Sequence, residues 1–185
     1  GISAVTAGTS NFVAGVNAGD SITSGGNNNT LIGDNAGTTI TTASNNTAVG
    51  SRAMIANTSG AENTAVGEQA LTVNTTGANN TAIGKAALLL NTTASYNTVV
   101  GSSAMYNNTT GSNNVAVGFQ SLQQNTTAYQ NTAVGTTALK STTTGLDNTG
   151  VGFSAMFANT TGYNNTAVGK SSLAANTTGA ENTAV

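Results

Sequence analysis

Apolar and polar residues fall in a fixed phase along most of the chain, which reads N-T-A-V-G-x-x-A-L-x-x-N-T-T-G-x-x. Val or Ile stands at the fourth position of each unit (Val49, Val66, Ile83, Val100, Val117, Val134, Val151, Val168) and follows Thr at the second, apart from Val115. β-Branched residues two apart predict a short extended segment that turns both side chains to one face. Gly closes the segment each time (Gly50, Gly67, Gly84, Gly101, Gly118, Gly135, Gly152, Gly169), which predicts a positive φ or a close backbone approach at a corner. A second apolar pair follows: Ala53-Met54, Ala70-Leu71, Ala87-Leu88, Ala104-Met105, Ser121-Leu122, Ala138-Leu139, Ala155-Met156 and Ser172-Leu173. The N-T-T-G stretch reads as the return corner, with Gly60, Gly77, Gly111, Gly145, Gly162 and Gly179 near its end.

The unit is strictly periodic. Asn46, Asn63, Asn80, Asn97, Asn114, Asn131, Asn148, Asn165 and Asn182 stand 17 residues apart, and Asn29 extends the register backwards. Asn11 to Asn28 is a variant of 18 residues, and in both early units G-x-x-A-L becomes G-x-N-A-G while Ile22 and Ile40 replace the later Asn. A disordered linker has no reason to hold Val at one phase, so the period is structural. Two extended pieces and two corners per unit predict an all-β parallel solenoid (β-roll or β-helix) of about ten coils, stacked at about 4.8 Å. A competing reading puts a turn or two of helix on G-x-x-A-L-x-x-N, as in leucine-rich repeats. Thr and Asn are poor helix formers and no capping acid recurs, which favours the solenoid. The whole is one repeat domain, with variant coils over 1–45 and regular repeats over 46–185.

Stacking accounts for the composition. Charged residues are 5% of the chain, with 4 Lys+Arg and 6 Asp+Glu, while Thr and Asn make up about a third. On a solenoid each position meets its own copy in the next coil, so repeated charges repel. An Asn amide donates to one neighbour and accepts from the other, making position one a structural ladder. The expected core rows are Val/Ile at position four and Leu/Met at position nine (Met54, Leu71, Leu88, Met105, Leu122, Leu139, Met156, Leu173). The small row at position three (Ala48, Ala65, Ala82, Val99, Ala116, Ala133) then offers a surface for close association of parallel chains, with a trimer as the favoured homo-oligomer.

Candidate chemistry is sparse. The chain has no His and no Cys, which excludes imidazole or thiolate metal sites and Ser-His-Asp or Cys-His nucleophiles; no metal or cofactor is expected. Four basic residues make no footprint for nucleic acid, and no apolar run spans a membrane. Among the carboxylates Asp20, Asp34, Glu62, Glu68, Asp147 and Glu181, none pairs with another in the same phase of adjacent coils, so no catalytic residue is assigned and no enzyme is expected. Gly25-Gly26-Asn27-Asn28-Asn29 has the glycine-rich look of a calcium turn but lacks its Asp, and reads as a loop for the extra residue. N-x-T/S sequons recur at Asn57, Asn74, Asn91, Asn108, Asn125, Asn159 and Asn176, and again at Asn28, Asn45, Asn79 and Asn164. They are read first as turn-forming Asn and second as glycan sites. The Asn74/Thr76, Asn91/Thr93, Asn108/Thr110 and Asn125/Thr127 pairs would form an Asn-x-Thr array, a candidate ice-binding face. Phe119, Phe153, Phe157, Tyr96, Tyr106, Tyr129 and Tyr163 occupy variable positions and are candidate carbohydrate contacts.

The units resemble a known group. Tandem N-T-A-V-G-x-x-A-L-x-x-N-T-T-G repeats, preceded by N-T-L-I-G-x-N-A-G-x-x-I-T-T, are similar to repeats in tail-fibre-like and surface proteins of marine phages and bacteria. N-T-A-V-G also resembles the S-V-A-I-G motif in the heads of trimeric autotransporter adhesins, whose shorter repeats coil as a left-handed β-roll. The resemblance implies a trimeric, extracellular, cell-surface or virion fibre, with any glycan receptor bound by regions outside this chain. The opening Gly1-Ile2-Ser3-Ala4-Val5 matches G-x-x-A-L, and the closing Asn182-Thr183-Ala184-Val185 supplies positions one to four. This phasing suggests a window of a longer fibre, or else subunits stacking end to end into a filament. The expected role is a structural, non-catalytic shaft, with an ice- or carbohydrate-binding repeat surface as the alternative.

Overall fold

The computed structural model describes residues 2–3 and 8–185. It is a β-solenoid, with no helix among the described residues. Twelve short strands lie in sequence order in one sheet: β1 Ile2–Ser3, β2 Phe12–Ala14, β3 Thr30–Ile32, β4 Thr47–Val49, β5 Thr64–Val66, β6 Thr81–Ile83, β7 Thr98–Val100, β8 Val115–Val117, β9 Thr132–Val134, β10 Thr149–Val151, β11 Thr166–Val168 and β12 Thr183–Ala184. From β2 onwards all pairs are parallel and join like to like, as in Thr47↔Thr64, Ala48↔Ala65 and Val49↔Val66. At about 4.8 Å per strand, the rise from β2 to β12 is about 48 Å.

One end departs from the expected phase. Ile2–Ser3 pairs antiparallel with β2, Ile2 opposite Ala14 and Ser3 opposite Val13, and so is not the G-x-x turn that its spacing suggests. An antiparallel strand there occupies edge groups of β2 that the parallel stack would otherwise leave open. Gly1, Ala4 and Val5 lie outside the described residues.

Each coil holds one strand, not two. After Gly50 the chain turns twice, with the Ala53 amide donating to Gly50 O (3.3 Å) and the Asn57 amide to Met54 O (3.2 Å). Arg52 (φ 60°), Met54 (φ 52°) and Glu62 (φ 60°) take the left-handed conformation, and the same three positions do so along the regular coils. The coils are held by backbone bonds along the rod axis. In one coil the amides of Thr64, Leu71, Val73 and Thr75 donate forward to Asn80, Ala87, Leu89 and Thr92, at 2.8 to 3.0 Å. Those of Gly67, Gln69 and Asn79 donate back to Val49, Ser51 and Ala61, at 2.8 to 3.1 Å.

The interior differs from the expected one. Ala48, Ala65, Ala82, Val99, Ala116 and Ala133 at position three are fully buried, as are positions eight and nine from Ala53-Met54 through Ala155-Met156, including Ser121 where it replaces Ala. Val49, Val66, Val100, Val117 and Val151 are only half-buried, and Ile83, Val134 and Val168 are exposed, so the position-four row faces outwards. Strand alternation gives the reason: positions one and three point in, positions two and four out. Met54 and its equivalents already fill the space opposite the strand, leaving room there for little more than a methyl. The position-three row therefore lies inside the coil and is no surface for association between chains.

The two early coils solve the same packing with other residues. Gly19 (φ 60°) and Gly37 (φ 57°) take the left-handed position that Leu or Met holds later, at no steric cost. The volume returns from Val13 and Leu31 at position three and from Ile22 and Ile40 at position twelve, all buried. A Cβ on Gly37 would lie 2.8 Å from both Ile40 Cδ1 and Leu31 Cδ2.

Candidate functional site: two buried amide columns and the strand face

The most built feature of the molecule is a pair of Asn columns inside the rod. At position one, Asn46, Asn63, Asn80, Asn97, Asn114, Asn131, Asn148 and Asn165 are buried. Each Oδ1 accepts from the backbone amide of the next Asn in the column, for example Asn63 N to Asn46 Oδ1 at 3.0 Å and Asn80 N to Asn63 Oδ1 at 2.9 Å. In most rungs it also accepts from the next Nδ2, as in Asn80 to Asn63 at 3.1 Å. The ladder read from the sequence is thus present, with the backbone amide as an additional donor.

A second column stands at position twelve. Asn57, Asn74, Asn91, Asn108, Asn125 and Asn159 are fully buried, and Asn176 is half-buried. Asn74, Asn91, Asn108 and Asn125 each donate Nδ2 to the Oδ1 one coil back, at 2.8 to 2.9 Å. The columns meet at a shared carbonyl in most of the regular coils: Gly77 O accepts from Asn63 Nδ2 (2.8 Å) and Asn74 Nδ2 (2.9 Å). Gly111 O does the same for Asn97 and Asn108, both at 3.0 Å. A buried polar row survives only when its donors and acceptors are matched, and among the described residues Asn125 Oδ1 is the one buried side-chain polar atom left without a partner.

Two sequence readings change accordingly. The sequons at Asn57, Asn74, Asn91, Asn108, Asn125 and Asn159 are spent on interior bonds, so they are not reachable acceptors, while each Asn still closes its own corner by donating Nδ2 three residues on, as Asn74 does to Gly77 O (2.9 Å); Asn176 donates to Asn159 Oδ1 at 3.2 Å in the same column. The Asn-x-Thr array also dissolves, because Asn74, Asn91, Asn108 and Asn125 point inwards while Thr76, Thr93, Thr110 and Thr127 are exposed. The signal available was the recurrence of Asn at position twelve in all regular coils except the one holding Thr142, more uniform than a turn requires.

The strand-closing corner glycines all take the expected positive φ, and all but Gly169 also make the expected close backbone approach. Gly118 has φ 132°, and a Cβ on it would lie 2.5 Å from Gly135 O. Backbone rests on backbone along this column, so the coils approach as closely there as any residue permits.

Outside, Thr rows play two parts. At position thirteen the hydroxyls donate to the carbonyl of the same residue one coil on, as in Thr75 to Thr92 (3.0 Å), Thr92 to Thr109 (3.0 Å) and Thr109 to Thr126 (3.0 Å). At position two, on the strand, the hydroxyls of Thr47, Thr64, Thr81, Thr98, Thr132, Thr149 and Thr166 make no hydrogen bond within the protein. They stand beside the outward Val/Ile row.

The remaining candidates are dispersed. All six carboxylates are exposed. Among the described residues no three acidic groups come together as a metal site. Glu68 and Lys85, one coil apart, form an exposed ion pair at 2.9 Å. In the Gly25–Asn29 corner, Asn27 Oδ1 accepts from Thr9 N (2.8 Å) and Thr9 Oγ1 (3.0 Å), while Asn29 belongs to the buried column. Tyr96, Tyr129, Tyr163, Phe119, Phe153 and Phe157 are exposed and Tyr106 is half-buried; Lys140 and Lys170 sit over the rings of Phe157 and Phe153 at 5.9 and 6.0 Å.

Comparison of the chain with protein-family models, curated proteins and solved structures finds no match.

Proposed function

We propose that this chain is a structural, non-catalytic rod, a rigid shaft or spacer segment of an extracellular, cell-surface or virion fibre. The observation that carries the reading is the pair of buried amide columns running with the backbone ladder from coil to coil. Side chains placed to satisfy one another along the axis serve length and stiffness. Each coil contacts only its neighbours, so length is set by the number of repeats. The resemblance to tail-fibre-like and surface repeats agrees with that role, and any receptor-binding element belongs to sequence outside this segment.

Small-angle scattering on the purified chain and on a version lacking residues 97–130 tests the reading. Removing those two units shortens the rod by about 10 Å and leaves its cross-section unchanged. A compact particle, or a deletion that collapses the fold instead of shortening it, overturns the proposal.

A further inference from the structure

The strand face is left without a role by a spacer function, and its geometry is specific. Thr at position two and Val or Ile at position four project from successive parallel strands in unbroken register, from Thr30 and Ile32 to Thr166 and Val168. Among these rungs one replaces Thr, with Val115. The grid repeats at about 4.8 Å between coils and about 6.6 Å between residues two apart in a strand. β-Branched side chains hold few rotamers, so hydroxyls and methyls stay in place. No charged residue occupies either row. The strand hydroxyls are not consumed within the protein, unlike those of position thirteen.

We propose that this face binds ice. Its coil-to-coil spacing lies near the shorter oxygen repeat on a prism plane of hexagonal ice, and its chemistry suits ordered water: methyls that favour cage-like hydration beside hydroxyls that anchor it. An apolar row that faces outwards along the whole rod, half-buried in most coils and exposed at Ile83, Val134 and Val168, calls for an occupant. Nine rungs of two rows cover roughly 300–450 Å², about half of what each partner buries in a standard protein interface. The strip is narrow for a second copy, and it needs no matching relief to meet a crystal plane.

The test is thermal hysteresis and ice-affinity capture of the purified chain. The unaltered protein shows a gap between melting and freezing points and partitions into growing ice. Thr81→Tyr with Thr132→Tyr raises two bulky groups from the grid and abolishes both effects. Thr76→Tyr with Thr127→Tyr, on the exposed corner row, leaves them intact. Circular dichroism melts confirm that each variant is folded, and Ile83→Lys with Val134→Lys on the neighbouring row provides an independent strand-face lesion. Absence of hysteresis in the unaltered chain overturns the proposal, as does equal loss on the corner row. Sedimentation as a dimer that Thr81→Tyr dissociates also overturns it, since a second copy then holds the face.

Discussion

Asn125 Oδ1 is buried without a hydrogen-bond donor, and the residue one coil further on in its column is Thr142. Elsewhere in that column an Asn amide would fill this place, as Asn125 itself does for Asn108 at 2.8 Å. Thr142 is too short to reach back, and on its other side it meets Asn159 Nδ2 only at 3.5 Å. An unpaired buried carbonyl costs about 1–3 kcal/mol.

Thr142→Asn therefore stabilises the protein. It completes the column from Asn57 to Asn176 and restores a donor to Asn125. The expected gain is about 1–2 kcal/mol, a rise of several degrees in melting temperature at this chain length. A melting temperature that stays put or falls would show that the column does not carry the rod.

Two corner glycines of similar φ separate strain from contact. Gly118→Ala drives a Cβ onto Gly135 O, whereas Gly169, in the last complete coil, has nothing within 4 Å of that point. Gly169→Ala bears only left-handed strain, about 1–3 kcal/mol. Gly118→Ala loses more, because adjacent coils must part. Urea midpoints compare the two directly, and equal losses contradict the close-approach account.

Ala116→Asp and Val117→Asp distinguish the inward from the outward row. Ala116 is fully buried, so a carboxylate there is unpaired inside the rod and costs about 3 kcal/mol or more. Val117→Asp places its charge at the surface and costs about 1 kcal/mol. Chemical denaturation gives the order, and a reversed order would put position four back in the core.

How far could these features be read from the residues? The period, the all-β solenoid, the position-one column and the Gly corners follow from spacing, because each copy of a residue meets itself. Which side of the strand faces in does not. Val117 is larger than Ala116, and size suggests the core; yet Thr sits on the Val face, and Thr132 beside Val134 is better placed in water. The second column was hidden because N-T-T-G is also good turn chemistry. A left-handed Leu122 (φ 47°) runs against propensity, and only Gly19 and Gly37 at the same position of the early coils hint at it.

The two coil types are exchangeable as sets. Ala48→Leu, Met54→Gly and Asn57→Ile together give the coil after Leu31/Gly37/Ile40 the same interior, and the Asn column then begins at Asn74, which keeps its bond to Gly77 O. The triple variant loses less than about 1.5 kcal/mol, as volume-conserving exchanges do. Met54→Gly alone leaves a cavity and loses about 2–5 kcal/mol. Urea titrations of both variants check the coupling; additive losses would mean the early coils are built on some other basis.

The bonds between coils lie along the rod axis, and each coil touches only the ones above and below. Tension applied to the rod falls first on an outermost coil, where one set of backbone bonds resists it together with one amide rung in the early coils or two in the regular ones. When that set gives way it frees 17 residues, up to about 55–60 Å of slack, and the next coil presents nearly the same resistance. Under load the rod lengthens in equal steps at nearly constant force, behaving as an extensible tether whose reserve is counted in coils.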